Sequence, residues 1–148
     1  MRKILLAALA AAALAAPAHG QTQTAATEPR FAGTWGFQSE DYGTDDYGLV
    51  MSGVAVITQA QGNRYNVRLL TQQQLTERES GEQHMLVGHE NCTGDASNGQ
   101  LAITCQADPL QQDRQPDTFL LQRGDSADQL VGALTSNSNS QTTFTRAN

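Results

Sequence analysis

Lysine is all but absent from this 148-residue chain. Lys3 is the only one, and nine basic residues face fifteen acidic ones for a formal net charge of −6. That deficit argues against nucleic acid and anionic membrane surfaces as partners, since both demand a basic face. Catalytic patterns are lacking too. There is no Gly-x-Ser-x-Gly, and Gly124-Asp125-Ser126 reads as turn chemistry between short strands. Of three histidines, His84 and His89 are five apart on one strand, so they face opposite ways and cannot share a metal. Glu90 alternates face with His89, which leaves no acid–base pair. The aspartates of Asp41-Tyr42-Gly43-Thr44-Asp45-Asp46-Tyr47-Gly48 lack EF-hand spacing. No enzyme activity, metal or cofactor is expected. Nor does any stretch carry a convincing helical period.

One apolar run is present, and it lies at the start. Arg2 and Lys3 precede Ile4–Ala16, and small residues follow at Ala16-Pro17-Ala18 and Ala18-His19-Gly20. This reads as a secretory signal peptide over residues 1–20, cut after Ala18 or Gly20. The run is shorter than the roughly 20 residues of a membrane anchor. With no cysteine directly following the cleavage region, a lipid-anchored form is not expected. The expected location is therefore periplasmic or secreted, in a bacterial setting. Residues 21–30, rich in Gln, Thr and Ala, read as a flexible tail. A single domain then runs over 31–148.

Two cysteines in a chain bound for an oxidising space imply one disulfide. Their hairpin can be read in detail. Asn98-Gly99 is a strong signal for a type I′ turn, in which both central residues need φ > 0. With that turn, Ser97 faces Gln100, and counting outward sets Cys92 directly opposite Cys105 in a non-hydrogen-bonded pair. Such a pair brings the two Cβ atoms within disulfide reach.

Alternating segments recur on both sides of this hairpin. Gly33–Glu40 sets Trp35 and Phe37 on one face and Thr34, Gln38 and Glu40 on the other. Leu49–Thr58 is apolar on both faces, with a bulge or bend at Gly53. Tyr65–Leu70, His84–Asp95, Gln100–Gln106, Thr118–Arg123, Gln129–Thr135 and Gln141–Arg146 complete eight strands. The polar stretches 71–82 and 107–117 read as loops. Eight short-linked strands predict an all-β fold, an eight-stranded antiparallel up-and-down β-barrel. Closure also removes exposed edges. An outer-membrane barrel is a poor match, because several strands fall short of about 9–11 residues and their outer positions carry Thr, Gln and Arg.

Gly33-Thr34-Trp35 at the first strand and Phe144-Thr145-Arg146 at the last resemble the calycin signature of lipocalins, avidins and some bacterial protease inhibitors. That resemblance implies a first-strand Trp packed against a basic residue of the final strand, here Trp35 and Arg146. Strand order agrees, since the eighth strand of a meander returns beside the first.

Loops of a meander alternate between its two ends. The links near 41–48, 71–82, 107–117 and 136–140 share one end, making an open, loop-rich mouth; tight turns share the other. Acidic residues collect at this mouth: Asp41, Asp45, Asp46, Glu77, Glu79, Glu82, Asp108, Asp113 and Asp117, against Arg78 and Arg114. The expected function is a non-enzymatic binding barrel, taking a small or amphipathic ligand or a basic partner surface. Asp41, Tyr42, Asp45, Asp46 and Tyr47 are the expected contact residues. Two alternatives are an inhibitor of a secreted protease and an envelope structural or accessory protein without a ligand. Interior volume separates them: several hundred cubic ångströms of cavity favour a ligand, and a filled core favours the others.

Overall fold

A computed structural model describes residues 31–106, 115–136 and 139–147. The segments read as signal peptide and tail, 1–20 and 21–30, lie outside the described residues. The strands are β1 (Gly33–Ser39), β2 (Tyr47–Gln59), β3 (Arg64–Glu77), β4 (Gln83–Ser97), β5 (Gln100–Cys105), β6 (Thr118–Arg123), β7 (Gln129–Leu134) and β8 (Ser140–Arg146). Each pairs antiparallel with the next, and β8 closes on β1, so the chain forms the expected closed up-and-down barrel.

The cysteine hairpin has the register that its turn dictates. Asn98 and Gly99 take φ of 51° and 77°, Ser97 faces Gln100, and Cys92 faces Cys105. The two sulfurs are bonded at 2.04 Å, with the Cα atoms 3.9 Å apart. Both cysteines are buried, so the disulfide lies inside the barrel wall.

Alternation along the strands sends one set of side chains inward. Phe37, Phe119 and Phe144 meet at the centre, with ring centroids 4.8 to 5.8 Å apart in stacked and edge-on contacts. Leu69, Ile103, Leu121, Leu130 and Leu134 fill in around them. The doubly apolar β2 turns Met51, Ala55 and Ile57 inward. Two glycines at inward positions, Gly53 and Gly132, do not leave holes. A Cβ at Gly53 would lie 2.0 Å from the Leu70 carbonyl oxygen, and one at Gly132 would lie 1.9 Å from that of Leu120. The neighbouring strand backbone already occupies that space.

At the tightly turned end, Trp35 is 0% exposed. Its Nε1–H donates to the Phe31 carbonyl at 2.9 Å, and Phe31 meets Tyr65 edge-on at 5.9 Å. Thus the residues entering β1 plug this end. Arg146 stands over the indole with its Cζ 4.2 Å from the ring centroid. It also donates to the Ala32 carbonyl at 3.0 Å and pairs with Asp128 at 3.3 Å. The contact implied by the calycin resemblance is present. A partly desolvated cation–π contact of this kind contributes about 1 kcal/mol.

One expectation is corrected. Residues 71–77 are not loop but the continuation of β3, paired with β2 on one side and β4 on the other, out to Glu77 opposite Tyr47 and Thr76 opposite Gln83. The mouth link shrinks to residues 78–82. Polar composition misled here for a physical reason. Beyond the barrel rim this sheet is only partly covered, with Gln72 exposed and Gln73 and Gln74 partly so, and these positions need no apolar alternation. Their backbone groups are satisfied by two flanking strands. β2, β3 and β4 therefore project past the barrel as one three-stranded tongue.

Candidate functional site

The interior changes from apolar to polar towards the loop-rich end. Ser39, Thr71, Glu90, Asp117, Ser140 and Thr142 are buried there. Each is used structurally: the Ser39 hydroxyl accepts from the Met51 amide at 2.9 Å, and Ser140 donates to the Glu40 carbonyl at 2.9 Å. Glu90 accepts from the Asp117 amide at 3.3 Å, and the Asp117 carboxylate accepts from the Ser136 hydroxyl at 3.4 Å. Asp117 is thus a buried residue and not part of an exposed acidic mouth, a correction to the reading of 107–117 as a solvated loop. Asp108, Asp113 and Arg114 lie outside the described residues. Glu90 and the two cysteine sulfurs lie within 4.8 Å of one another. Sulfurs joined in a disulfide are not thiolate ligands, so this cluster does not form a metal centre.

Among the described residues, the barrel interior is packed by phenylalanines at its centre and by hydrogen-bonded polar groups at this end.

The first mouth loop is more tightly held than its glycines suggest. The Asp41 carboxylate accepts from the amides of Gly43 at 2.9 Å and Leu49 at 3.0 Å, and from Arg78 at 2.8 Å. Arg78 in turn donates its Nε–H to the Thr44 carbonyl at 2.8 Å and its amide to Asp46 at 2.8 Å. The Thr44 hydroxyl accepts from the amides of Asp46 and Tyr47, both at 3.3 Å. Tyr42 is half-buried against the core, and its hydroxyl accepts from the Gln73 amide group at 2.6 Å. Arg78 therefore clamps this loop to the turn of the β3–β4 hairpin.

These bonds sort the five expected contact residues. Asp41 and Tyr42 hold the loop together through their partners, Asp41 while exposed and Tyr42 while half-buried. Asp45, Asp46 and Tyr47 stand exposed, with Tyr47 at 43%. The nearby hairpin turn adds Glu77, Glu79 and Glu82, with Glu77 accepting from Ser80 and Glu82 paired to His84 at 3.2 Å. Six carboxylates of the loop and turn thus face a single guanidinium, Arg78, which is committed to Asp41.

Hydrogen bonds from Gly43, then Leu49, then Arg78 hold the Asp41 carboxyl below its ordinary value of 3.8. A carboxylate depressed in the folded state stabilises it above the unfolded value and loses that effect as pH falls through the folded value. The loop clamp is therefore expected to be intact at neutral and mildly acidic pH and to release only below the ordinary carboxylate range. Titrating the Gly43 and Leu49 amide shifts by NMR should give a common midpoint under 3.8. In Asp41→Asn the same shifts should be flat. A midpoint at or above the ordinary value would refute the clamp. Because the group is exposed, its energy is small.

The outer wall holds features the strand pattern only hinted at. A hollow of about 700 Å³ lies over β8, β1, β2 and β3, lined by Gly36, Val54, Leu70, Val87, Thr143 and Thr145. Its apolar residues continue through Val87 onto Met85, which is 53% exposed, while Leu86, 58% exposed, lies on the opposite face of the sheet. The available signals were a second strand apolar on both faces and three consecutive apolar residues, Met85-Leu86-Val87.

No family model matches this chain, and no curated protein matches it.

Proposed function

We propose that this protein is an exported, non-enzymatic binding barrel that engages a basic protein surface through its acidic, loop-rich end. The observation that carries this reading is the pairing of a filled interior with a clamped outer loop. The core leaves a small ligand no chamber, whereas Asp45, Asp46 and Tyr47 are presented on a loop tied by Arg78 to the tongue. Binding residues on a rigid scaffold lose little entropy on docking. Tyrosine supplies contact area with a polar tip, and the surrounding carboxylates supply a field that steers cations. Inhibition of a secreted protease is one form such a partnership can take, and the filled core favours it over ligand carriage.

The test is capture of partners from periplasmic or secreted extract at low and high ionic strength. Wild type is expected to retain a basic partner at low salt and to lose roughly tenfold in affinity as salt screens the field. Asp45→Asn/Asp46→Asn and Tyr47→Ala should each weaken retention, while Tyr42→Ala should also disturb folding through Gln73. A partner held equally by wild type and variants, without salt dependence, would refute the reading and shift attention to residues 21–30.

A further inference from the structure

Closure of the barrel hides its strand edges at every described seam except one. β4 is the longest strand, and β5 covers only part of it: the last contact is the Gln106 amide donating to the Asn91 carbonyl at 3.1 Å. Among the described residues no strand pairs with β4 on that side from Gln83 to His89. Parity tells which groups are left there. The amide of Glu77 donates to Glu82 and that of Ala96 to Asn63, so even-numbered residues of β4 bond to β3. Odd-numbered ones point the other way, as Asn91 does towards Gln106. Among the described residues, the N–H and C=O groups of Gln83, Met85, Val87 and His89 therefore form a row with no strand partner.

Native edges of this kind are blunted by Lys, Pro, a bulge or short length. None of these devices occurs over Gln83–His89. Instead the segment exposes Met85 at 53%, Leu86 at 58% and Val87 at 58%, on both faces of the sheet.

We propose that this edge is the contact between two copies of the chain, paired antiparallel about a two-fold axis through Leu86. The segment is self-complementary about that residue. Gln83 comes opposite His89 and Met85 opposite Val87, all of them residues whose free groups face outward, giving about eight backbone hydrogen bonds. Leu86 meets its own copy in a non-hydrogen-bonded pair, where the Cα atoms approach to about 4.5 Å. On the other face Met85 covers the partner copy's Val87, and the reverse, extending the apolar strip from Val54 and Leu70 across the axis. All three exposed apolar side chains are covered at once. This register uses the free segment from end to end and stops short of Asn91, where Gln106 already binds. One term opposes it: both copies are acidic, and Glu82 comes opposite Glu90. Association is therefore expected to strengthen with salt, the reverse of binding at the acidic rim. The inference stands independently of the proposed function.

Sedimentation of the purified protein from low-micromolar to near-millimolar concentration tests the proposal. Wild type should pass from monomer to dimer mass over that range, more readily at high salt. Val87→Pro removes an N–H that points away from β3, so the barrel should melt as wild type while the dimer is lost. Val87→Lys, a second route, should likewise abolish it. Under mild oxidation Leu86→Cys should form a covalent dimer, and Val87→Cys, which faces Met85, should not. A wild type that stays monomeric throughout overturns the proposal and leaves the edge to a strand of another protein. Dimers undiminished in both Val87→Pro and Val87→Lys, or cross-linking through position 87 in place of 86, overturn it as well.

Discussion

Phe144→Ala is expected to destabilise the barrel by about 3–5 kcal/mol, the usual range for removing a buried ring. Phe144 stacks on Phe37 at 4.8 Å and takes Phe119 edge-on at 5.6 Å, with no exposed surface of its own. Strand backbones surround the three rings and cannot collapse into the gap, so both the transfer and the cavity costs are incurred. Small domains have only about 5–15 kcal/mol in total. The variant should therefore unfold at markedly lower urea, with Trp35 fluorescence as the probe. A loss under about 1 kcal/mol would show the centre to be loosely packed. It would also reopen the interior as a ligand chamber and undercut the reading of the protein as an outward-facing binder.

Replacing both cysteines, as Cys92→Ala/Cys105→Ala, should cost about 3 kcal/mol, the chain-entropy value for a short loop. The sequence separation is 13, and the register is already set by the Asn98-Gly99 turn. The bond thus acts mainly by restricting the unfolded chain and not by creating the hairpin. Its burial gives the prediction a second readout. Native protein should resist a mild reductant until denaturant opens the barrel, and its mass should be two hydrogens below the reduced form. Two thiols alkylated without denaturant would contradict the inward placement.

The turn chemistry of Asn98-Gly99 made the disulfide register readable, because one turn type specifies every pair behind it. The Trp35–Arg146 contact was readable for a different reason: the calycin resemblance implies it, and meander order puts the last strand beside the first. Two parts of the molecule escaped that logic. Gln72-Gln73-Gln74 looks like loop because alternation records burial, and beyond the rim these residues are exposed or only partly covered. Glu90 was set aside through its opposition to His89, although its phase with Cys92 already directed it inward. Asp117, opposite Cys105 across the β5–β6 pair, is buried by the same parity. For the candidate surface, the acidic residues were legible but their employment was not. Asp41 and Asp45 look alike in composition, and only the Gly43, Leu49 and Arg78 contacts show that the first is a structural clamp.

Every strand pair except one joins neighbours in the chain. The exception is β1 with β8, where Arg146 reaches the Ala32 carbonyl across 114 residues. Seven hairpins can form from local encounters, but this seam needs the two ends of the domain to find each other. Loop-closure entropy makes such distant contacts slow to form. Barrel closure is accordingly expected to be the slow step of folding, with the Trp35 plug seating as it completes. The same seam brings the ends of the domain together, with the Ala147 amide donating to the Thr34 carbonyl at 2.9 Å. Joining those ends with a short linker and reopening the chain at Gly124–Asp128 would turn the seam into an ordinary hairpin. A permuted barrel of that kind would keep the same contacts while shortening the search for its slowest one.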